Sequence, residues 1–155
     1  EVTDFGYTFC GCENLTGSIP AGLFDNNTKV ETFEFTFYRC QSLKGAIPQG
    51  LFDNCPEVTT FSQTFASCKG LTNIPTGLFD NCTKVTNFKK TFNRCTALTG
   101  ESPYTTINVG GADVKVHLYE RSSYPEYFTA PKYYNKAYYN CTGLSDYSNI
   151  PDDWN

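Results

Sequence analysis

The chain has 155 residues, with 12 Lys plus Arg against 16 Asp plus Glu, a single His and a formal net charge of −4. Such a length suits one domain, and the acidic balance argues against nucleic acid as a partner, because phosphate binding rests on clustered Lys and Arg. No stretch approaches the ~20 consecutive apolar residues that a membrane-spanning helix needs, and with no Met among 155 residues the chain reads as a processed product or a piece of a longer one.

From the first residues onward the chain repeats itself. The string V-x-x-F-x-x-T-F-x-x-C-x-x-L runs Val2-Phe5-Thr8-Phe9-Cys12-Leu15 and returns as Val30-Phe33-Thr36-Phe37-Cys40-Leu43. It recurs as Val58-Phe61-Thr64-Phe65-Cys68-Leu71 and as Val85-Phe88-Thr91-Phe92-Cys95-Leu98. Between copies stands I-P-x-G-L-F-D-N, beginning at Ile19, Ile47 and Ile74. A fixed period of this size, with apolar positions held in phase, is the signature of a solenoid. The expected fold is therefore a single α/β or β-rich solenoid of 27–28-residue repeats.

Within each period two similar phrases alternate, as in Phe52-x-x-Cys55-x-x-Val58-x-x-Phe61 and Phe65-x-x-Cys68-x-x-Leu71-x-x-Ile74. The F-x-x-C spacing fits one helical or 3₁₀ turn, V-x-x-F and L-x-x-I read as short strands, and Pro20, Pro48 and Pro75 should close a strand because they cannot donate to a ladder. Asp25, Asp53 and Asp80 stack in phase. They lack the dense oxygen loop of a calcium site and read as corner residues bonding backbone N–H groups.

Eight cysteines lie at 10, 12, 40, 55, 68, 82, 95 and 141. Neither a zinc spacing nor a disulfide pattern fits them, and the repeat explains most of them: Cys12, Cys40, Cys68 and Cys95 fall at one angular position, Cys55 and Cys82 at another. Inward-facing reduced thiols are expected there. Cys10 is off phase and is the expected exposed or paired thiol. Residue 1 enters in mid-repeat, so the apolar residues Val2, Phe5 and Phe9 lack a preceding coil, and self-association or fraying through this open N-terminal end is expected.

After Pro103 the character changes. Nine of the 11 Tyr lie from Tyr104 onward, and residues 105–120 alternate polar and apolar around Gly110-Gly111, the pattern of a β-hairpin. The phase returns as Tyr134-x-x-Ala137-Tyr138-x-x-Cys141-x-x-Leu144. The organisation is thus regular coils over 1–103, an inserted hairpin over 104–123, and a degenerate last repeat with cap over 124–155.

The phrase FDNCTKVTNFKKTFNRCTALTG resembles the BspA-like leucine-rich repeats of bacterial surface proteins, in the branch whose unit reads F-D-x-S-x-V-T-x-M-x-x-M-F-x-x-C-x-x-L. Phe88 and Thr91 stand where that branch has Met, and I-P-x-G-L replaces its L-x-L strand core. The resemblance covers roughly residues 1–100 and, faintly, 124–151. It implies that the solenoid is a right-handed, leucine-rich-repeat-like coil, in a bacterial protein that is secreted or anchored at the cell surface, for instance on the outer membrane, and that acts in adhesion. NLTGSIPAGLFDN also resembles a segment of plant extracellular leucine-rich repeats, under which reading the sequons at Asn14, Asn26, Asn81 and Asn140 would matter. The F-x-x-C element is foreign to that class.

Catalysis has little to stand on: there is no G-x-S-x-G, no glycine-rich phosphate loop, and His117 is the sole base of its kind. Carboxylate pairs such as Glu31/Glu34 and Asp152/Asp153 read as a solvated face. The expected function is non-enzymatic binding of a host or bacterial surface protein or glycan, with no cofactor and no metal; the alternative is a structural spacer presenting other domains. Insertions on rigid scaffolds concentrate binding residues, and Tyr suits both protein and sugar recognition. The expected contact residues are therefore Tyr124, Tyr127, Tyr133 and Tyr139, with His117 and Arg121 as polar neighbours.

Overall fold

The computed structural model describes residues 1–155. Of its 80 backbone hydrogen bonds, 71 lie outside helices and strands, so turns and contacts between successive repeats hold the chain. No helix is long and apolar enough to cross a membrane.

The organising element is the eight-residue stretch that ends in T-F-x-x-C. In the second repeat, Thr36 N–H donates to the Phe33 carbonyl, Tyr38 to Phe35 and Cys40 to Phe37, so three-residue spacing becomes a run of consecutive turns. The intervening N–H groups of Phe33, Phe35, Phe37 and Arg39 donate to Thr60, Ser62, Thr64 and Ala66 in the following repeat, at 2.9–3.2 Å. The remaining N–H, that of Glu34, donates to Thr32 Oγ1 at 3.0 Å. Every amide of the stretch is paired, as a stretch stacked on both sides by its neighbours requires. The same pattern links Asp4, Thr32, Thr60, Asn87 and Tyr133 as parallel bridges, each to its counterpart one repeat on.

Asp4, Thr32, Thr60 and Asn87 do the Asx and Ser/Thr turn work expected of Asp25, Asp53 and Asp80: their side-chain oxygens accept from Gly6, Glu34, Ser62 and Lys89. Each of these acceptors sits immediately before the repeat's first Phe. The carboxylates at the I-P-x-G corner instead lie over Gly22, Gly50 and Gly77, within about 3 Å of where a Cβ would stand.

Phase-matched phenylalanines stack inside. Phe5, Phe33, Phe61 and Phe88 form one file with centroids 5.7–6.1 Å apart. Phe9, Phe37, Phe65, Phe92 and Tyr138 form a second at 5.2–5.7 Å. Phe24, Phe52 and Phe79 wedge between them with tilted rings, 4.6–5.1 Å from the first file. Offset and tilted rings at these distances are the favoured aromatic geometries.

Two polar files run beside the rings. Thr64 Oγ1 donates toward both Phe33 O and Phe61 O at 2.9 Å, with equivalents at Thr36 and Thr91. The thiols of Cys40, Cys68, Cys95 and Cys141 each reach the carbonyl of Phe9, Phe37, Phe65 or Phe92 in the preceding repeat, at 2.9–3.1 Å. The expectation of apolar filler at these sites was incomplete, since the thiol is also a donor. Cys12, placed in the same file by its phase, is exposed.

On the opposite side the segments from Leu43 to Ile47 and from Gly70 to Ile74 supply β1 (Lys44–Gly45) and β2 (Gly70–Leu71), a parallel pair. The V-x-x-F segments expected as strands give isolated bridges only, because the chain turns after a single residue. In the first repeat, the carbonyls of Asp4, Gly6, Thr8 and Cys10 accept no backbone hydrogen bond.

After the fourth repeat, β3 (Tyr104–Val109) and β4 (Ala112–His117) form an antiparallel hairpin, with Gly110 and Gly111 at positive φ in its two-residue turn. A 3₁₀ segment, Leu118–Ser123, follows. The fifth repeat then stacks on the fourth, and the C-terminal tail closes it. The N–H groups of Lys136 and Tyr138 donate to the carbonyls of Asp153 and Trp154, and the Trp154 ring lies 4.6 Å from Tyr134.

Candidate ligand-binding face

Each T-F-x-x-C stretch turns by placing two residues, four apart, in left-handed backbone. These are Tyr7 and Gly11, Phe35 and Arg39, Gln63 and Ser67, Lys90 and Arg94, and Lys136 and Asn140, with φ between 54° and 74°. Such a conformation favours glycine and costs other residues roughly 1–2 kcal/mol each. At the other corners glycine fills every left-handed position, as at Gly22, Gly50 and Gly77. On this side alone the chain keeps side chains where glycine would relieve strain, and strain maintained in one region motivates a functional reading.

The side chains kept there are charged in one sense. The variable positions of this face carry Arg39, Lys89, Lys90, Arg94 and Lys136 against two carboxylates, Asp4 and Glu34, both in the first two repeats, on a chain whose net charge is −4. None of these five cations forms an ion pair; the salt bridges lie elsewhere, at Lys84–Glu57, Lys115–Glu101, His117–Asp146 and Arg121–Asp80.

A cleft of about 290 Å³ runs across repeats two to five on this face, lined by Tyr38, Gln63, Ser67, Lys90, Asn93, Arg94, Lys136 and Tyr139. Its origin is legible in one register. The column Tyr38, Ala66, Asn93, Tyr139 sets two tyrosines three repeats apart with a buried alanine and a short amide between them. Between the two rings the small side chains leave room for the cleft, with Asn93 in its lining. Lys136 Nζ lies 5.4 Å from the centre of the Tyr139 ring, and the Arg39 guanidinium 5.5 Å from that of Tyr38, so each end pairs an aromatic with a cation.

The six residues expected to bind ligand do not converge. Tyr139 alone lines this cleft. Tyr133 is 60% exposed beside the Asn87 bridge, while Tyr127 donates its hydroxyl to Asn108 O at 2.9 Å and so braces the hairpin. Tyr124 is half-buried where the 3₁₀ segment ends. Arg121 is buried, with its guanidinium bonded to Thr105 Oγ1 at 3.1 Å, set 4.6 Å from the Phe128 ring and 3.7 Å from Asp80; burial pulls its pKa down. It anchors the hairpin and cannot reach a surface ligand.

His117 is likewise engaged. Its Nδ1 lies 3.0 Å from Ser102 Oγ and 3.4 Å from Asp146 Oδ2. Ser102 is fully buried; its hydroxyl donates to Asp146 Oδ2 at 2.5 Å and its N–H to Oδ1 at 2.9 Å. The trio has the residue types of a hydrolase triad but not the wiring, which needs one ring nitrogen for the serine and the other for the carboxylate. Here one nitrogen faces both, the serine proton belongs to the aspartate, and no cleft opens on the hydroxyl. It is a staple joining the fourth repeat, the hairpin and the fifth repeat. No three His, Cys, Asp or Glu side chains are grouped to hold a metal ion.

What the sequence reading missed is the cleft. The signal was present at the variable positions of the repeat: Lys89, Lys90 and Arg94 fall in the fourth repeat, and Lys136 takes the phase of Lys90 in the fifth, so that they share one face. No family model matches the chain, and no curated protein matches it.

Proposed function

We propose that this chain is a non-enzymatic binding module, built as a right-handed leucine-rich-repeat-like solenoid, whose recognition surface is the T-F-x-x-C face and not the inserted hairpin. The observation that carries the reading is the retention of nine non-glycine residues in left-handed backbone on that one face, against glycine at the other corners. Fold stability alone favours glycine at those positions, so the side chains have another use. The resemblance to BspA-like repeats supports the same reading and supports a place at the cell surface or in a secreted protein of a bacterium, where the partner is a surface protein or a glycan. The thiol files suit such a setting: six cysteines are buried, and burial raises their pKa values and keeps them from the thiolate that oxidation requires.

The test is a binding screen against arrayed glycans and surface proteins, run with the native chain and with a double variant, Tyr38→Ala with Tyr139→Ala. The proposal expects ligands that the native chain holds and the variant loses. Ligands retained by the variant but lost on Tyr127→Ala or Tyr133→Ala would return the site to the insertion. A spacer would bind nothing in either form.

A further inference from the structure

Resting on the binding reading above, we infer that the ligand of the cleft is an anionic glycan, a sugar chain bearing carboxylate or sulfate groups, held between Tyr38 and Tyr139 with its charges against Lys90, Arg94 and Lys136.

Charge is the first argument. Three cations line one cleft of a net acidic chain, and no carboxylate faces them from the lining residues. Stability gives no reason to gather like charges, which repel at close range. A bound anion relieves that repulsion and gains charge-assisted hydrogen bonds, the guanidinium of Arg94 being able to hold a planar carboxylate or a sulfate through two N–H groups.

The second argument separates a glycan from an acidic peptide. A peptide docking in extended form needs free main-chain partners or apolar pockets for its anchors. Neither is present. The amides of this face are spent on the next repeat: Gln63 N–H donates to Lys89 O, Ser67 to Asn93 O, Lys90 to Asn135 O and Arg94 to Tyr139 O. The lining holds only two aromatic side chains and otherwise Gln63, Ser67 and Asn93 beside the cations. Amide and hydroxyl groups that both donate and accept suit the hydroxyls of a sugar, and Tyr rings at the two ends offer apolar faces for its C–H surfaces. The arrangement is that of a polar trough with two stacking ends.

The left-handed positions supply the decisive variants. Lys90→Gly, Arg94→Gly and Lys136→Gly each remove a cation while easing the backbone, so the triple variant should be at least as resistant to heat as the native chain. Titration calorimetry would use three probes: a chondroitin sulfate oligosaccharide, a polygalacturonate oligosaccharide and a neutral dextran oligosaccharide. The inference expects the native chain to bind one or both anionic probes at least tenfold more tightly than dextran, with affinity falling as salt rises, and expects the triple-glycine variant to lose that binding at least tenfold without loss of melting temperature. The sulfated and uronate arms tell which anion is preferred. Equal binding of dextran, or no binding of either anionic probe, overturns the inference. If binding of a neutral sugar or a protein disappears in the Tyr38/Tyr139 variant, the cleft stands as the site and its anionic character falls. If an anionic probe binds and the triple-glycine variant holds it as well as the native chain does, the inference falls, and retention by the Tyr38/Tyr139 variant too removes the binding face with it.

Discussion

The Cys68 thiol lies 3.0 Å from the carbonyl oxygen of Phe37, one repeat earlier in the chain. That single contact explains why cysteine recurs where leucine would fill the same space: the side chain is apolar enough for the core and still gives the stacked backbone one more donor. The Phe37 carbonyl also accepts from Cys40 N–H, so the thiol uses its second lone pair.

Thiol chemistry should separate the eight cysteines cleanly. Cys12 is exposed and Cys10 half-buried, whereas the other six are buried and free. Titration of the native chain with a thiol reagent at neutral pH is expected to find two reactive groups, rising to eight in denaturant. Three or more groups protected as disulfides would contradict the reduced files.

Alkaline pH should destabilise the fold through the same groups. Burial pushes Cys40 and Cys55 up to about 11 and Cys82 and Cys141 up to about 12, from an ordinary value of 9.0. Above pH 9 the unfolded chain releases these protons while the folded chain keeps them. Stability is therefore fully present below pH 9 and falls as pH rises from there through about 12. Urea midpoints measured from pH 7 to 11 check this: they should be flat at first and then decline, and Cys55→Ala with Cys82→Ala should shallow the decline.

The threonine file should matter less than the rings it borders. Thr64→Val removes a donor from Phe33 O and Phe61 O, but both carbonyls keep amide partners, so the expected cost is about 1 kcal/mol. Phe61→Ala leaves a cavity among Phe33, Phe52, Phe79 and Phe88, with an expected cost of about 3–5 kcal/mol. Denaturant titration of both variants measures the difference; equal losses would mean that the polar file contributes as much as the rings.

The tail should act as a lid on the last repeat. Trp154 is 4% exposed, and its carbonyl holds the Tyr138 amide at 2.8 Å. Truncation after Ile150 should expose the Tyr134 and Tyr138 rings and speed hydrogen exchange at Lys136 and Tyr138, while amides of the central repeats at Phe61 and Phe65 stay protected. Uniform loss of protection would instead show the chain to be one cooperative unit.

The first repeat should be the weakest of the regular ones. Phe5 and Phe9 are half-buried, and Val2, Tyr7 and Leu15 are exposed at 47%, 60% and 37%. Amides of Phe5, Tyr7 and Phe9 should exchange faster than those of Phe61, Gln63 and Phe65. If copies associate through this end, that difference should shrink as protein concentration rises.

The repeat, its inward residues and the hairpin were legible because each is written as a period: Phe, Thr and Cys in fixed phase, and alternation around Gly110-Gly111. Turn geometry was not. V-x-x-F carries apolar spacing compatible with a strand, and only the left-handed φ of residues such as Phe35 and Lys90 turns the chain away, a conformation that no non-glycine sequence advertises. Arg121 and His117 were misjudged for a related reason. A charged residue beside an insertion reads as surface until its partners are known, and Asp80, Thr105, Ser102 and Asp146 lie far away in sequence.

The direction of the hydrogen bonds between repeats has an electrostatic consequence. In a regular sheet neighbouring peptide dipoles largely cancel, but along T-F-x-x-C every amide that crosses to a neighbour points toward the later repeat. Their dipoles add, as in a helix. The negative end of this alignment lies toward the first repeat and the positive end toward the fifth. Lys90, Arg94 and Lys136 thus stand toward the pole that repels them, where their potential and that of the backbone reinforce each other. A long anionic chain approaching this face meets a field graded along the stack, which would draw it toward the tail-capped end.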